Sequence, residues 1–395
     1  MKRLCSRRAE YGLNITPDRY RPAGVRLLRT SDIGVEGSLR GSGGVYLDPA
    51  DVPHELLLRD GDVLFSRSGT IGRALLFDRE QHGGATFAGF LVRFRLREDV
   101  DPRAIRYWSE SAPFAGTVDS EAIQSTISNF NADRYANLQV PRFLAEHSAA
   151  IADYLDAQTA RIDVVVARRA DQLRVLGQIM QSAVHEVMPV PEQIQGGRIK
   201  MVVSTAAGGT PSTDNRLLWG NEGDVPWVTI ADMSSGGWVR STAKHVSTAG
   251  ISSARLPVGR PGTVLLAMYA SVGVSAFLGV EATWNQAILA LVPIPGRADP
   301  RFLRYWLERL REYWPLVIKS NTQDNLSAEL VRGAPFPLLP IEDQVAAANR
   351  LDRVSERVVG HAGLLSRQIE LLLERRRALI TAAVSGDLEI LRVPA

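Results

Sequence analysis

The stretch DGDVLFSRSGTIG (residues 60–72) returns about 200 positions later as PGTVLLAMYASVG (residues 261–273). A second pair of similar stretches follows in the same order: DPRAIRYW (residues 101–108) returns as DPRFLRYW (residues 299–306). A repeat of this length has the size of a domain and is far too long for the unit of a solenoid. The chain is therefore predicted to consist of two homologous halves.

Shorter landmarks support the duplication because they keep the same order in both halves. Asn129-Phe130 corresponds to Asn325-Leu326, and Val140-Pro141 corresponds to Phe336-Pro337. A chance similarity would not stay collinear over the whole length of the chain. The duplication therefore sets the architecture before any functional motif is considered.

Composition narrows the class of protein. The chain has 395 residues, of which 45% are hydrophobic and 23% charged, the balance of a globular protein with two to four domains. It lacks an apolar run of about 18 residues, and its basic start, MKRLCSRRAEYG, lacks the apolar core of a signal peptide, so we expect a cytoplasmic protein. The single cysteine, Cys5, excludes an internal disulfide framework. The net charge of +3 permits nucleic-acid binding but does not require it.

The first part of each half is predicted to be a mixed α/β globule. Short apolar runs such as residues 62–65, 90–94 and 263–266 are bounded by turn-forming dipeptides and are typical of strands. The two Asp-Pro pairs, at residues 101–102 and 299–300, precede aromatic residues at helical spacing, which predicts a short helix with proline in its first turn.

The second part of each half is predicted to be one long helix. Apolar residues recur every three or four positions from about Leu144 to Met188, which gives a helix of roughly 45 residues, or about 65 Å. The same stripe runs from Val345 to a stop at Ser385-Gly386. A lone helix with an apolar stripe needs a partner in water. We expect the two helices to pair as an antiparallel coiled coil about a pseudo-twofold axis, the alternative being that each folds back on its own globular part.

Several motifs within this duplicated frame carry a family resemblance. The second helix is led by FPLLPIEDQ (residues 336–344) and closed by LLLERRRALITAAVSGDLE (residues 371–389). The second globular part opens with GGTPSTDN (208–215) and WGNEGDVPWVTIADM (219–233), and the first with YGLN (11–14). In this order the motifs resemble the specificity subunit of type I restriction-modification systems, and the resemblance covers almost the whole chain.

The first copy departs from this pattern. Its helix lead, VPRFLAEHS (residues 140–148), lacks the second proline and the glutamine of the second copy. The helix end, GQIMQSAVHEV (residues 177–187), lacks the arginine cluster, and the first domain opens about one strand shorter than the second. The predicted boundaries are 1–140 and 191–338 for two target-recognition domains, 141–190 for the first spacer helix, and 339–395 for the second spacer helix with a tail.

The resemblance implies a DNA-reading role without catalysis. Each target-recognition domain would read one half of a bipartite target in double-stranded DNA, and the helices would set the spacing between the halves. Two methyltransferase (modification) subunits would dock on the chain and methylate adenine, and restriction/translocase subunits would join them. The chain would hold no cofactor of its own, because S-adenosylmethionine, and ATP with Mg²⁺ for restriction, would be bound by the partner subunits.

Polar loops at equivalent places in the two halves are the predicted base-reading elements. Arginine suits guanine, and asparagine or glutamine suits adenine. The alternative is that these are ordinary solvated loops whose serines and asparagines cap turns. The predicted DNA-binding residues are Arg67, Ser68, Thr70, Gln124, Ser125, Thr126 and Asn129 in the first half, and Tyr269, Ser271, Lys319, Asn321, Thr322, Gln323 and Asn325 in the second.

Other conspicuous residues are interpreted structurally. Tyr107, Trp108, Tyr305 and Trp306 are suited to base stacking, but their helical spacing and repetition favour the core. The arginines at 375–377 either grip a phosphate or a partner, or form a solvated helix face. The remaining candidates are histidines without a second metal ligand at suitable spacing, and are predicted to be surface residues. They are His147, His185 and His361.

Catalytic motifs are missing from the sequence. It contains no Gly-Lys dipeptide of a phosphate-binding loop and no Asn-Pro-Pro-aromatic motif of amino methyltransferases. Cys5, in a basic N-terminal segment, is a poor nucleophile candidate. Two alternatives remain for the function: a duplicated protein-interaction scaffold without base-specific readout, and a nucleic-acid binder of another system. A scaffold would expose apolar patches on its globular parts, whereas these loops are polar.

Overall fold

The structure, a computed structural model, describes residues 1–34, 37–39, 44–123, 129–221, 223–234, 237–318 and 325–388. The chain divides into two compact units. Unit 1 comprises Met1–Ala170 and the chain from Arg367 onwards, and unit 2 comprises Asp171–Ser366. No helix within the described ranges has both the length and the apolarity needed to cross a membrane.

Unit 1 contains seven strands and the helices that follow them, as far as the described residues show. The strands are β1 (Glu10–Tyr11), β2 (Val25–Leu28), β3 (Val45–Leu47), β4 (Val63–Ser66), β5 (Ala74–Leu76), β6 (Ala85–Phe87) and β7 (Leu91–Phe94). The helices are α1 (Arg79–His82), α2 (Pro102–Ser109), α3 (Ala112–Ile123), α4 (Ala132–Asn137), α5 (Arg142–Glu146) and α6 (Ser148–Val187), the last of which continues into unit 2.

Unit 2 repeats this plan. Its strands are β8 (Val203–Ala207), β9 (Trp219–Gly220), β10 (Val225–Val228), β11 (Trp238–Val239), β12 (His245–Val246), β13 (Val264–Ala267), β14 (Ser275–Leu278), β15 (Thr283–Trp284) and β16 (Ile288–Pro293). Its helices are α7 (Thr248–Ala254), α8 (Pro300–Arg309), α9 (Trp314–Val317), α10 (Ala328–Gly333) and α11 (Ile341–Ser385), and α11 ends in unit 1.

The strand orders confirm the internal repeat. The first sheet runs β1-β7-β4-β5 in unit 1 and β8-β16-β13-β14 in unit 2, where β11 adds an edge strand. The second sheet has β2 parallel to β6 and antiparallel to β3, and its counterpart has β10 parallel to β15 and antiparallel to β12. The two halves of the sequence therefore fold with one topology, and the predicted mixed α/β class is confirmed.

The central strand of each first sheet is buried on both faces. Val63 and Phe65 of β4 point into the core beneath α2 and α3, while Leu64 points into a second cluster on the other side. Alternate residues of a strand face opposite sides of a sheet, so a strand covered on both sides is apolar throughout. The recurring apolar stretch in residues 60–72 and 261–273 is explained by this position.

The recurring Asp-Pro motif caps α2 and α8. Asp101 accepts a hydrogen bond from Arg103 N at 2.9 Å, and Asp299 accepts one from Arg301 N at 2.9 Å, with proline at the first turn of both helices. The aromatic residues that follow are buried, as predicted. They are Tyr107, Trp108, Tyr305 and Trp306.

An ion-pair and hydroxyl cluster joins each capped helix to a long helix. In unit 1 Arg103 pairs with Asp156 of α6 at 2.6 Å, and Tyr107 donates to the same carboxylate at 2.6 Å. In unit 2 Arg301 and Tyr305 contact Asp352 of α11, both at 2.7 Å. Burial, and then the nearby carboxylate, raises the pKa of each tyrosine to about 12, so both phenols stay protonated donors at physiological pH.

The long helices contribute to the core of each unit. In unit 1, Leu155 of α6 and Val384 of α11 are buried in the same apolar cluster, and in unit 2 Val184 of α6 and Leu351 of α11 share another. Within unit 1 the two segments run antiparallel, because Phe143, just before α6, lies against Gly386 while Asp163 contacts Arg376. The predicted pairing of the helices is thus confirmed.

The helix ends differ in how well they match the prediction. The second helix stops at Ser385, and Gly386 follows with a left-handed φ of 84°, as expected for a glycine stop. The first helix begins at Ser148, not near Leu144, because residues 142–146 form the separate short helix α5. His185 and His361, on the long helices, are exposed, whereas His147, between α5 and α6, is half-buried with its ring 4.9 Å from that of Phe143.

Candidate nucleic-acid interface

The candidate site in each unit is the loop between two strands of the first sheet. The loop at 67–73 joins β4 to β5, and the loop at 268–274 joins β13 to β14. Both follow the same backbone path, with left-handed φ angles of 70° at Gly69 and 58° at Ala270. Alanine rarely adopts such a φ, so the conformation at Ala270 is maintained by the surrounding structure at some energetic cost.

A second segment lies beside each loop. Phe130 N donates to Arg67 O at 2.9 Å, and Leu326 N donates to Met268 O at 2.8 Å. Asn129 and Asn325, each one residue earlier, are therefore at the same place in the two units. The loops and these asparagines form the two candidate sites, and they unite predicted site residues that are about 60 positions apart in the sequence.

The predicted site residues divide by whether the structure describes them. Arg67 and Ser68 are half-buried, Thr70, Tyr269 and Ser271 are exposed, and Asn129 and Asn325 are half-buried. The others lie outside the described residues and remain predictions. They are Gln124, Ser125, Thr126, Lys319, Asn321, Thr322 and Gln323.

Arg67 is the most tightly positioned of these side chains. Its Nε donates to Asn129 Oδ1 at 3.1 Å, and its Nη1 donates to the carbonyl of Gly89 at 3.3 Å. The guanidinium carbon lies 4.7 Å from the centre of the Tyr11 ring. Tyr11 in turn accepts a hydrogen bond from Ala132 N at 2.9 Å. The guanidinium plane is thus held by neutral groups and by an aromatic ring.

Tyr135 holds the base of the unit 1 loop. Its hydroxyl donates to Ser66 O at 2.7 Å and accepts from Gly72 N at 2.9 Å, which ties the two ends of the loop together. Burial raises the pKa of Tyr135, so the hydroxyl remains a donor at any ordinary pH. Sequence reasoning did not single out Tyr135, since the contact depends on how α4 packs under the hairpin.

Two aromatic residues of unit 1 were also missed as site residues. Tyr11 is 42% exposed and Phe90 is 60% exposed, and Arg67 N donates to Phe90 O at 3.0 Å. Phe90 also borders a cleft of about 400 Å³ that includes Thr30 and Ser31. The signal available in the sequence was the YGLN motif that contains Tyr11, but a tyrosine on a two-residue strand gives no indication of which side chain it contacts.

Unit 2 has different chemistry at the corresponding place. Met268 replaces Arg67 and is buried, while Tyr269 is 40% exposed and its carbonyl accepts from Ser271 N at 2.6 Å. A second cleft of about 720 Å³ is lined by Trp219 and Lys244, whose ammonium lies 5.7 Å from the centre of the Trp219 ring. The same scaffold therefore presents an arginine fork in one unit and a tyrosine with hydroxyls in the other.

Cys5 does not have the environment of a reactive thiol. It is half-buried, and its Sγ donates to the carbonyl of Met1 at 3.6 Å. Burial raises the pKa of the Cys5 thiol to about 11, which outweighs the opposing effect of the nearby N-terminal ammonium.

The thiol of the native protein is therefore expected to react slowly with a disulfide reagent at pH 8. With a pKa of about 11, about a thousandth of it is thiolate at that pH, against roughly a quarter for an unfolded cysteine. The rate of release of thionitrobenzoate should be at least about 100-fold lower than in urea. It should also rise about tenfold per pH unit towards pH 11. Native and urea rates within a factor of about three would contradict this environment for Cys5.

Comparisons with known proteins agree with the fold. Residues 191–366 match the model of the type I restriction modification DNA specificity domain. A solved structure described as the "structural basis underlying complex assembly and conformational transition of the type I R-M system" has a TM-score of 0.67 and 18% identity, covering 98% of this chain and 97% of that chain. At that identity the likeness shows a shared fold. The chain is thus a duplicated α/β protein with the fold of a type I restriction-modification component.

A curated relative makes the class more specific. Over 156 residues, 39% of this chain, it is 24% identical to the specificity subunit of the type I restriction enzyme MjaIX of Methanocaldococcus jannaschii. The match spans a third of that protein's length. The resemblance to type I specificity subunits is confirmed, and it includes the match of residues 191–366 to the model of the DNA specificity domain. That relative is named as a specificity component, which agrees with the prediction that the chain is not itself an enzyme.

Proposed function

We propose that the chain is the sequence-specific DNA-recognition subunit of a type I restriction-modification complex. It reads a bipartite target in double-stranded DNA, unit 1 reading one half and unit 2 the other. The observation that carries the proposal is the pair of candidate sites. The loop that contains Arg67, beside Asn129, and the loop that contains Tyr269, beside Asn325, lie at equivalent places on one repeated scaffold. To read two different half-sites, two equivalent loops must present different side chains, as these loops do.

Base reading is favoured over simple phosphate binding by the side chains on the loops. Phosphate contacts fix the position of a protein on DNA but carry no sequence information, and lysine or arginine suffices for them. The predicted site residues that the structure describes instead carry hydroxyl, amide and aromatic groups with one arginine, the groups that match base edges in the major groove.

Catalysis is proposed to reside in partner subunits. Two modification subunits would bind S-adenosylmethionine and methylate adenine, and restriction/translocase subunits would bind ATP with Mg²⁺. Exposed apolar side chains on the long helices are suitable docking points for such subunits. They are Val164 and Leu371 in unit 1, and Val175, Ile179, Val359 and Leu364 in unit 2. The complex would act on cellular DNA, which agrees with the expected cytoplasmic location.

The proposal is tested by sequencing methylated bases in cells that carry this chain with its modification subunit and in cells that lack only this chain. We expect adenine methylation at one split motif, two short halves separated by a fixed gap, in the first cells alone. The complex is also purified through a tag on this chain and assayed on the same genomic DNA. Co-purification of the modification subunit without methylation at any motif, in cells or in vitro, would instead support the protein-interaction scaffold.

A further inference from the structure

The two candidate sites differ most at the position of Arg67. Tyr11 pairs with Val92, which pairs with Phe65, and in unit 2 the corresponding series runs from Ala207 through Leu289 to Leu266. The register therefore places Ala207 where unit 1 has Tyr11. Met268 likewise stands where unit 1 has Arg67, because the backbone bonds to Phe130 and Leu326 are equivalent. Unit 2 thus lacks both the guanidinium and the ring on which it stacks.

The hydrogen bonds of Arg67 leave most of its donors available. A guanidinium has five N–H groups, and the bonds to Asn129 and Gly89 use two of them. Within the ranges that the structure describes, no carboxylate lies at salt-bridge distance from Arg67, in contrast to Arg95, which pairs with Asp62 at 2.7 Å. As far as the described residues show, three donors and the charge of Arg67 therefore remain available to an outside acceptor.

The stacking on Tyr11 fixes the plane of the fork. An arginine side chain loses considerable rotamer entropy when it binds, and a guanidinium already held in place loses less. The contacts to Tyr11, Asn129 and Gly89 come from three different segments of unit 1, so they restrain both the position and the tilt of the plane. Such a side chain is organised for a planar acceptor pair before DNA arrives.

Guanine is the base whose acceptors match this fork. In the major groove guanine presents O6 and N7 side by side, and an arginine bidentate to both is the commonest specific contact. A bidentate contact to phosphate has similar geometry. A phosphate contact would be equally useful in both units, however, so an arginine would be expected at this position in each. In unit 2 the position is instead occupied by a buried methionine, Met268. The neighbouring Phe90, which is exposed, also suits the apolar edge of a base better than a charged phosphate.

We propose that Arg67 reads a guanine in the half-site recognised by unit 1, and that unit 2 has no counterpart to this contact. The inference rests on the proposed DNA-recognition function and assigns one position of the target to one side chain. Tyr11 and Asn129 act as positioning residues for the Arg67 guanidinium.

The test compares methylation by the complete complex containing the wild-type chain or Arg67→Ala. With wild type, replacing each guanine of the unit 1 half-site by 7-deazaguanine should reveal one position at which loss of N7 lowers kcat/KM roughly 10- to 100-fold. Arg67→Ala should lower kcat/KM on natural DNA by a similar factor and relax the motif at that same position alone. Combining the variant with 7-deazaguanine there should cause little additional loss, because both changes remove one contact.

Two further variants distinguish the role of the planar Arg67 guanidinium from the effect of its positive charge and from an effect on folding. Arg67→Lys keeps the charge and loses the planar fork, so it should relax the motif as Arg67→Ala does. Arg142→Ala removes an exposed arginine of the same unit and should leave the motif unchanged. Each variant is checked for wild-type thermal stability and for co-purification with the modification subunit.

The outcomes distinguish this inference from the proposed function. If wild type directs methylation at a split motif but Arg67→Ala lowers it equally on all sequences, Arg67 is a phosphate contact and the inference is wrong. The inference is also wrong when Arg67→Lys retains full specificity. If wild type directs no methylation at any split motif, the proposed function itself fails.

Discussion

Asp62→Ala is expected to destabilise unit 1 by about 3–5 kcal/mol, because it removes one member of a buried ion network. Asp62 has no exposed side-chain area, and its two carboxylate oxygens accept from Arg95 Nε and Nη2, each at 2.7 Å. It also accepts from Arg59 N at 2.9 Å. Arg93, whose side chain is fully buried, lies 3.9 Å from the same carboxylate. Without Asp62, Arg95 loses its carboxylate partner, and the buried Arg93 on β7 keeps, of its described ion pairs, only the one with Glu10.

Asp99→Ala is the matched control for this variant. Asp99 forms an ion pair with Arg97 at 2.8 Å in the same unit, but its side chain is 66% exposed. Exposed pairs of this kind contribute little to stability, so the control should have little effect. Unfolding is followed by urea titration together with amide hydrogen exchange in β4 and β7, since a chain of two units need not unfold in one step. Equal destabilisation by both variants would show that the network does not hold the sheet.

The same network is not required by the fold, since unit 2 builds the equivalent strands without it. Leu64 pairs with Arg93 in unit 1, and Leu265 pairs with Ala290 in unit 2. A buried pair can often be replaced as a whole by apolar residues with little loss, whereas removal of one partner is costly. The ion network is therefore a feature of unit 1 alone, and repeat symmetry in the sequence did not predict it.

The sequence was sufficient to predict the architecture because repeated features of the fold depend on local patterns. The apolar strand within residues 60–72 recurs in 261–273 since both are central strands buried on two faces. The Asp-Pro caps at 101–102 and 299–300 recur because a capped helix needs them locally. Patterns of this kind extend over a few residues and remain visible after the two copies have diverged.

The candidate sites were only partly predictable because their contacts join distant segments. Arg67 and Asn129 were both predicted to bind DNA, but nothing in their spacing showed that one holds the other. Tyr11 was missed, as its ring lies under Arg67 only through the pairing of β1 with β7. Side-chain contacts across strands depend on register, which sequence periodicity does not determine for two-residue strands.

The arginines at 375–377 show the same limit within one helix. The sequence left open whether they grip a phosphate or partner, or form a solvated face. In the structure Arg375 and Arg377 are exposed, while Arg376 is 4% exposed and is bound to two carboxylates. Its Nη1 lies 2.6 Å from Glu110 at the end of α2, and its Nε lies 3.0 Å from Asp163 of α6. For Arg376, the interpretation as part of a solvated face is wrong.

Arg376→Ala is therefore expected to weaken the attachment of the last part of α11 to unit 1 by about 1.5–3 kcal/mol, because it removes two charged hydrogen bonds from a nearly buried guanidinium. Glu110 keeps its ion pair with Arg106, and Asp163 is partly exposed to water. Thr381, one turn later, accepts from Ala112 N at 3.1 Å, and Ile380 and Val384 are buried beside it.

The expected signature is faster amide hydrogen exchange across residues 367–385 with little change in β10 and β13 of unit 2. Arg375→Ala and Arg377→Ala remove the same charge from adjacent exposed positions and should leave exchange in this segment unchanged. If all three variants accelerate exchange equally, the cause is the change in net charge on the helix. The buried ion cluster would then not anchor the end of α11. If only Arg376→Ala accelerates exchange, the end of the second repeat's helix is a structural part of the first unit. Loss of residues 367–385 would then damage the half of the protein that contains Arg67.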